Sequence, residues 1–194
     1  MASPSDVAPL LVEQCRSRPA SLGEGRLLCL DGPAGAGKTT LAEATAGLEP
    51  GATVVHVDDL LHGWRGLPTV AHAVDALLRP LSRGEPGHYR RYDWDAGEWA
   101  ETVRVDPSPL LVLEGCGAGS RAYADLATLI VWVEAPVDLR VARGLARDGA
   151  HLLPRWDQWL LDEEELFALE GTRARADVEV DGTGVTAPVL RQAP

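Results

Sequence analysis

Leu27-Leu28-Cys29-Leu30-Asp31-Gly32-Pro33-Ala34-Gly35-Ala36-Gly37-Lys38-Thr39-Thr40-Leu41-Ala42-Glu43-Ala44-Thr45-Ala46-Gly47-Leu48 is the stretch whose reading decides the fold. LLCLD at 27–31 is an apolar run of strand length, LAEATAGL at 41–48 is helix-like, and GxxxxGK[ST] lies between them from Gly32 to Thr39. Glycines let successive backbone N–H groups turn inward, a helix start adds partial positive charge, and a Lys with a hydroxyl completes a cradle for phosphate. The expected phosphate contacts are therefore Gly32, Ala34, Gly35, Ala36, Gly37, Lys38, Thr39 and Thr40, with Lys38 toward the β- and γ-phosphates and Thr39 toward Mg²⁺. At this chain's own residue frequencies the pattern would arise by chance somewhere along its length with a probability of about 10⁻³. Lys38 is also the only Lys in the chain, every other basic residue being Arg.

Outward from the loop, 194 residues with 45% apolar and 24% charged content suit one globular domain, 1–194, with a sizeable core. A net charge of −11 argues against a general affinity for nucleic-acid backbones or anionic membranes, so any phosphate must be held locally. No run approaches the roughly 18 apolar residues of a membrane span. The start MASPSDVAPL lacks a signal-peptide layout, and the expectation is a cytoplasmic protein. Cys15, Cys29 and Cys116 are too few and too scattered for a disulfide framework or a zinc site. Oligomeric state is not legible.

Along the chain, 1–22 is expected to hold an N-terminal helix at 5–18, followed by a core over 26–182 and a tail at 185–194. Apolar runs predict five strands, at 27–31, 52–57, 110–115, 128–135 and 176–182, alternating with helices at 70–81, from 136, and over 156–174. SRAYADLA at 120–127 predicts a short helix, whereas 84–99 is polar, aromatic and turn-rich. The fold class is α/β, an open, mostly parallel five-stranded sheet flanked by helices, with its ligand at the carboxyl ends of the strands.

Acidic residues at those strand ends are Asp31, Asp58, Asp59, Glu114 and Glu134. Phosphoryl transfer needs one carboxylate to hold Mg²⁺ and one to orient or deprotonate an acceptor hydroxyl. Asp58, directly after strand two, is placed as the base, and Glu114, ending LLVL, as the Mg²⁺ carboxylate. Arg140, Arg143 and Arg147 share one helix face that can close over a triphosphate. Trp64, Trp94 and Trp99 fall in polar loop segments and can stack on a planar base, whereas Trp132, Trp156 and Trp159 fit packing positions.

DGPAGAGKTTLA, VDDLLHGW, RRYDW, LEG, DLRVARGLARD and ADVEVDG occur here in the order in which they resemble the motifs of the uridine kinase branch of P-loop kinases, including uridine-kinase-like proteins of high-GC bacteria. The resemblance runs from about Leu27 to Gly182. It implies a P-loop NTPase fold with a small helical lid at 140–155 and an ATP- and Mg²⁺-dependent kinase for a small-molecule acceptor. The implied acceptor group is a ribose 5′-hydroxyl, with Asp58 as its base and as a further contact to the metal. Thr39 and Glu114 would attend Mg²⁺, Arg140 the nucleotide, Lys38, Arg143 and Arg147 the transferring phosphoryl, and His62, Tyr92 and Trp94 the nucleoside pocket. This chain departs from the family at Asp95-Ala96-Gly97-Glu98, which replaces a His-Ser-Arg stretch, at Leu60-Leu61, which replaces an aromatic pair, and at Ala150-His151 in the lid. Phosphate handling carries over better than base recognition. A monophosphate or other metabolite acceptor, with Arg79, Arg90 or Arg91 as extra anion contacts, and a nucleotide-binding regulatory module remain the alternatives.

Overall fold

Residues 2–191 are described by the computed structural model; Met1 and residues 192–194, the end of the expected tail, lie outside them. The apolar run before the glycine loop forms β1 (Arg26–Asp31), buried from Leu27 onward because strands pair with it on both edges. On one side lie β5 (Leu110–Glu114) and then β2 (Thr53–His56), and on the other β6 (Leu129–Glu134) and then β7 (Val178–Asp181). All four pairings are parallel, which requires helical crossovers and leaves both sheet faces to be covered.

The pleat divides the strand residues between two cores. Leu27, Cys29, Leu111, Leu113, Ile130 and Trp132 face one core together with Val74, Leu77 and Leu78 of α3 (Val70–Leu81). Leu28, Leu30, Leu110, Val112, Leu129 and Val131 face the other, against Val7 and Leu11 of α1 (Pro4–Arg16) and Leu41 of α2 (Lys38–Ala46). Asp6 steadies the start of α1 by accepting from Ser3 N and Ser3 Oγ.

All five expected strands are present, but the sheet has six. The additional strand, β8 (Val189–Leu190), lies in the expected tail and pairs antiparallel with β7. Its two residues are exposed, so no buried apolar run announced it.

The polar segment is also not loop. β3 (Gly87–Asp93) and β4 (Glu98–Val105) form a separate antiparallel ribbon, turned where Asp93 Oδ1 accepts from Asp95 N and Ala96 N. A ribbon with much of its surface in water reads as polar sequence. SRAYADLA becomes two short 3-10 turns within Arg121–Leu126, kinked at Tyr123, whose φ of −132° is not helical.

α4 (Val137–Asp148) follows β6, and a 3-10 turn at Ala150–Leu152 leads into α5 (Leu153–Glu170). The two helices meet where Gly144 lies against the ring of Trp156; a Cβ at Gly144 would sit 1.8 Å from Trp156 Cζ2. Among the described residues no helix is long and apolar enough to cross a membrane.

Candidate active site

The glycine loop leaves β1 at Asp31, whose buried carboxylate accepts from Gly32 N at 2.8 Å, Gly117 N at 2.8 Å and Gly119 N at 2.9 Å. The start of the loop is thereby tied to the segment after β5. Gly35 and Gly37 have φ of +76° and +103°, and a Cβ on Gly35 would sit 2.4 Å from Arg140 O, so the loop's path depends on glycine there. Among the described residues, the N–H groups of Gly35, Gly37, Lys38, Thr39 and Thr40 donate to no protein acceptor. Five free donors around a helix start fit the phosphate groups of a nucleotide.

Lys38 is only 6% exposed. Its Nζ donates to Gly32 O at 2.7 Å and Pro33 O at 2.9 Å. Burial opposes its charge, but the sulfur of Cys116 and the carboxylates of Glu114, Glu163 and Asp58 outweigh that and raise its pKa. A cation held by its own loop can exchange carbonyl oxygens for phosphate oxygens.

Parallel register pairs His56 with Glu114 at the ends of β2 and β5. Glu114 Oε1 accepts from Thr39 Oγ1 at 3.0 Å and lies 2.6 Å from His56 Nδ1. Burial pushes the Glu114 carboxyl up, yet the His56 hydrogen bond, the charges of Lys38 and His56, and Thr39 together hold it below the usual carboxylate range. The same hydrogen bond raises the His56 pKa. Asp58 follows in a 3-10 turn, Val57–Leu60, and its side chain opens into the adjoining cavity. Desolvation by the surrounding walls, then the nearby Glu114 charge, raises its pKa against the pull of Lys38 and Arg147.

Thr39, Glu114 and Asp58 supply the hard oxygen donors that Mg²⁺ prefers, and Mg²⁺ typically takes one or two protein carboxylates plus phosphates and water. No group of three or more His, Cys, Asp or Glu among the described residues forms a ready-made metal cage.

These residues border a cavity of about 680 Å³ on one side of the loop. Its aromatic wall is Trp64, Trp94, Trp156 and Trp159, and Arg147, Asp148 and His151 close another side. Trp64 meets Trp94 edge-on at 5.6 Å and Trp159 at 5.8 Å, while Trp94 Nε1 donates to Asp58 O at 3.2 Å. A second cavity, about 500 Å³, borders Gly37, Thr40, Arg143 and Gly182 on the other side. Arg143 spans the loop and the turn after β7, donating to Gly35 O and Gly182 O at 3.1 Å each.

Several expected site residues lie elsewhere. Tyr92 is buried in the ribbon with its ring against Trp94 and Trp99, and His62 stacks on Trp99 at 5.6 Å; none of His62, Tyr92 and Trp99 lines the cavity. The ribbon pairs Tyr92 with Trp99 across its strands and holds them to each other. Arg140 does not share an open face with Arg143 and Arg147. It is 8% exposed and donates to Ala135 O, Ala34 O and Glu163. Glu134, at the end of β6, lines neither cavity and instead accepts from Trp132 Nε1 and lies near Arg173.

Sequence reasoning missed His56 and Glu163. Register alignment of the two strand ends would have put His56 beside Glu114, and the spacing Trp156, Trp159, Glu163, Phe167 puts Glu163 on the apolar face of α5 despite its acidic neighbours. Trp156 and Trp159 are buried as expected, but they also wall the cavity.

No protein-family model matches the chain, and no curated protein sequence matches it. Solved structures do. A possible uridine kinase from Bacillus stearothermophilus superposes with a TM-score of 0.65 at 18% identity, over 91% of this chain and 98% of that one. A candidate fructose transport system kinase from Silicibacter sp. TM1040 gives 0.58 at 20% identity, over 92% and 98%. At such identity the likeness is one of fold, and the α/β fold described above, a mostly parallel sheet flanked by helices, is the fold this chain shares with those two proteins.

Proposed function

We propose that this protein transfers the γ-phosphoryl group of ATP, with Mg²⁺, to a hydroxyl of an uncharged small molecule, foremost the 5′-hydroxyl of a pyrimidine nucleoside. The observation that carries the reading is one phosphate loop with free N–H groups between two cavities, one of them holding Asp58, Thr39 and Glu114. On this reading ATP lies along the loop with its base in the 500 Å³ cavity beside Arg143, and the acceptor enters the 680 Å³ cavity. The two kinase structures of the same fold, one a possible uridine kinase and one a candidate fructose transport system kinase, are consistent with an uncharged hydroxyl acceptor.

Catalysis in such a site is chiefly positioning and charge stabilisation. Lys38 would give up Gly32 O and Pro33 O for the β- and γ-phosphates. Thr39 and Glu114 would hold Mg²⁺, which neutralises phosphate charge when bound. Asp58, unpaired at its carboxylate and raised in pKa, would accept the acceptor's hydroxyl proton as the oxygen attacks phosphorus and the β–γ bridge bond breaks, leaving ADP. Arg147, at the mouth, would face the developing charge. Trp64 and Trp94 offer flat surfaces for the acceptor body.

An acceptor that already carries phosphate is disfavoured. Arg79 is engaged by Asp75 and Asp125, Arg91 by Glu101, and Arg90 lies over the Trp99 ring, all away from the cavity. Arg147 lines it but is paired with Asp148.

ADP release with MgATP should be stimulated by uridine, cytidine or a sugar and not by their monophosphates. Asp58→Asn should lower that turnover about 10²–10⁴-fold while MgATP binding persists; a variant that turns over normally removes Asp58 as the base.

A further inference from the structure

Glu163 takes no part in the chemistry above, yet it is a buried carboxylate with all its bonding concentrated beside the loop. It is 2% exposed and accepts from groups on four segments: Ala34 N at 2.5 Å, Trp159 Nε1 at 2.7 Å, Cys116 Sγ at 3.2 Å and Arg140 Nη1 at 3.2 Å. A buried carboxylate is costly unless its charge is matched and its lone pairs are used, and here both conditions are met. Arg140 Nη1 also donates to Ala34 O at 3.1 Å, and its Nε to Ala135 O at 3.2 Å. The ion pair therefore grips both the N–H and the C=O of Ala34, with one partner from α4 and the other from α5. Trp159, the same helix's donor to Glu163, is also a wall of the 680 Å³ cavity.

We propose that Glu163 and Arg140 form a positioning pair that fixes the phosphate loop at Ala34 and, through Trp159, ties it to the wall of the acceptor cavity. The inference rests on reading the loop as the nucleotide site. Neither residue need touch phosphate; they act by holding Ala34, and with it the direction of the N–H groups that follow. Helix α5 thereby carries, one turn apart, a wall of one site and a strut of the other, so the loop cannot shift without disturbing the cavity.

Calorimetric titration with MgATP, paired with the thermal midpoint of the nucleotide-free protein, tests this on the full chain. Trp159→Phe keeps an aromatic ring at the position but removes the indole N–H together with its second ring; it should weaken MgATP about 3- to 10-fold. Glu163→Gln should weaken it about tenfold or more and lower the midpoint, because Arg140 is left without its counter-charge. The double variant Arg140→Met/Glu163→Gln removes both charges, so the midpoint should recover while MgATP affinity stays low. Recovery of affinity together with the midpoint would make the pair structural and overturn the proposal, as would unchanged affinity in Trp159→Phe. Should Glu163→Gln fail to fold, the other two variants decide. A wild-type protein that fails to bind MgATP would instead sink the reading of the loop itself.

Discussion

His56 and Glu114 form a pair whose consequence is visible in pH. The folded-state pKa of His56 is raised by its hydrogen bond to Glu114, so its stabilising contribution is complete below its unfolded pKa and is lost as pH rises through the raised value. Glu114 is held low, so its contribution is present above its unfolded pKa and is lost as pH falls through the lowered value. The two windows overlap between the ordinary carboxylate and imidazole ranges, about pH 5–6. In metal- and nucleotide-free protein, the thermal midpoint of His56→Gln should fall furthest below wild type there, and the gap should narrow as pH rises through the raised His56 value. A gap that stays constant to pH 9 would mean the charge on His56 contributes nothing. At this scale the sequence was most legible where a residue's chemistry is unusual in its surroundings. A lone Lys after glycines and a carboxylate at the end of an apolar run could be read directly. His56 and Glu163 could not, because their partners lie 58 and 129 residues away, at Glu114 and Ala34, and are brought to them only by register and helix docking.

Among the elements, β2 and β7, toward the sheet's sides, are buried only in part, whereas β1, β5 and β6 were readable because burial on both faces demands continuous apolar runs. The ribbon and β8 were not, since each has polar or exposed residues that give no such run. The crossing of α4 and α5 depends on Gly144, whose missing side chain admits the ring of Trp156. Gly144→Ala should therefore cost about 1–3 kcal/mol, read as a lower urea midpoint, because one helix must move to make room. The same shift would push Trp156 into the 680 Å³ cavity that it lines. An unchanged midpoint would show that the helices slide apart freely and that this crossing does not set the cavity wall.

For the whole molecule, the loop at the carboxyl end of β1 lies between two cavities of comparable size, with opposite equipment. One has the free side of Arg143 and the turn after β7; the other has carboxylates, Thr39 and four tryptophans. The structure brings Asp58, Glu114 and Trp94, expected from the resemblance, to the second cavity beside the loop, whereas the side chains of His62, Tyr92 and Arg140 pack elsewhere. A protein of net charge −11 gathers little phosphate by its general field, so nucleotide affinity should depend on this one locus. Lys38→Ala should accordingly weaken MgATP at least about tenfold in calorimetry, since it removes a charged hydrogen-bond donor that no other Lys can replace.

The most direct test follows the label from γ-³²P-ATP, with Mg²⁺, into uridine, cytidine, fructose and their phosphorylated counterparts, using Asp58→Asn in parallel. The account predicts labelled phosphomonoester from an uncharged acceptor with wild type and almost none with Asp58→Asn. Label released only as inorganic phosphate, or retained in ATP whatever acceptor is offered, would contradict it and make the loop a nucleotide-binding switch rather than a phosphotransferase.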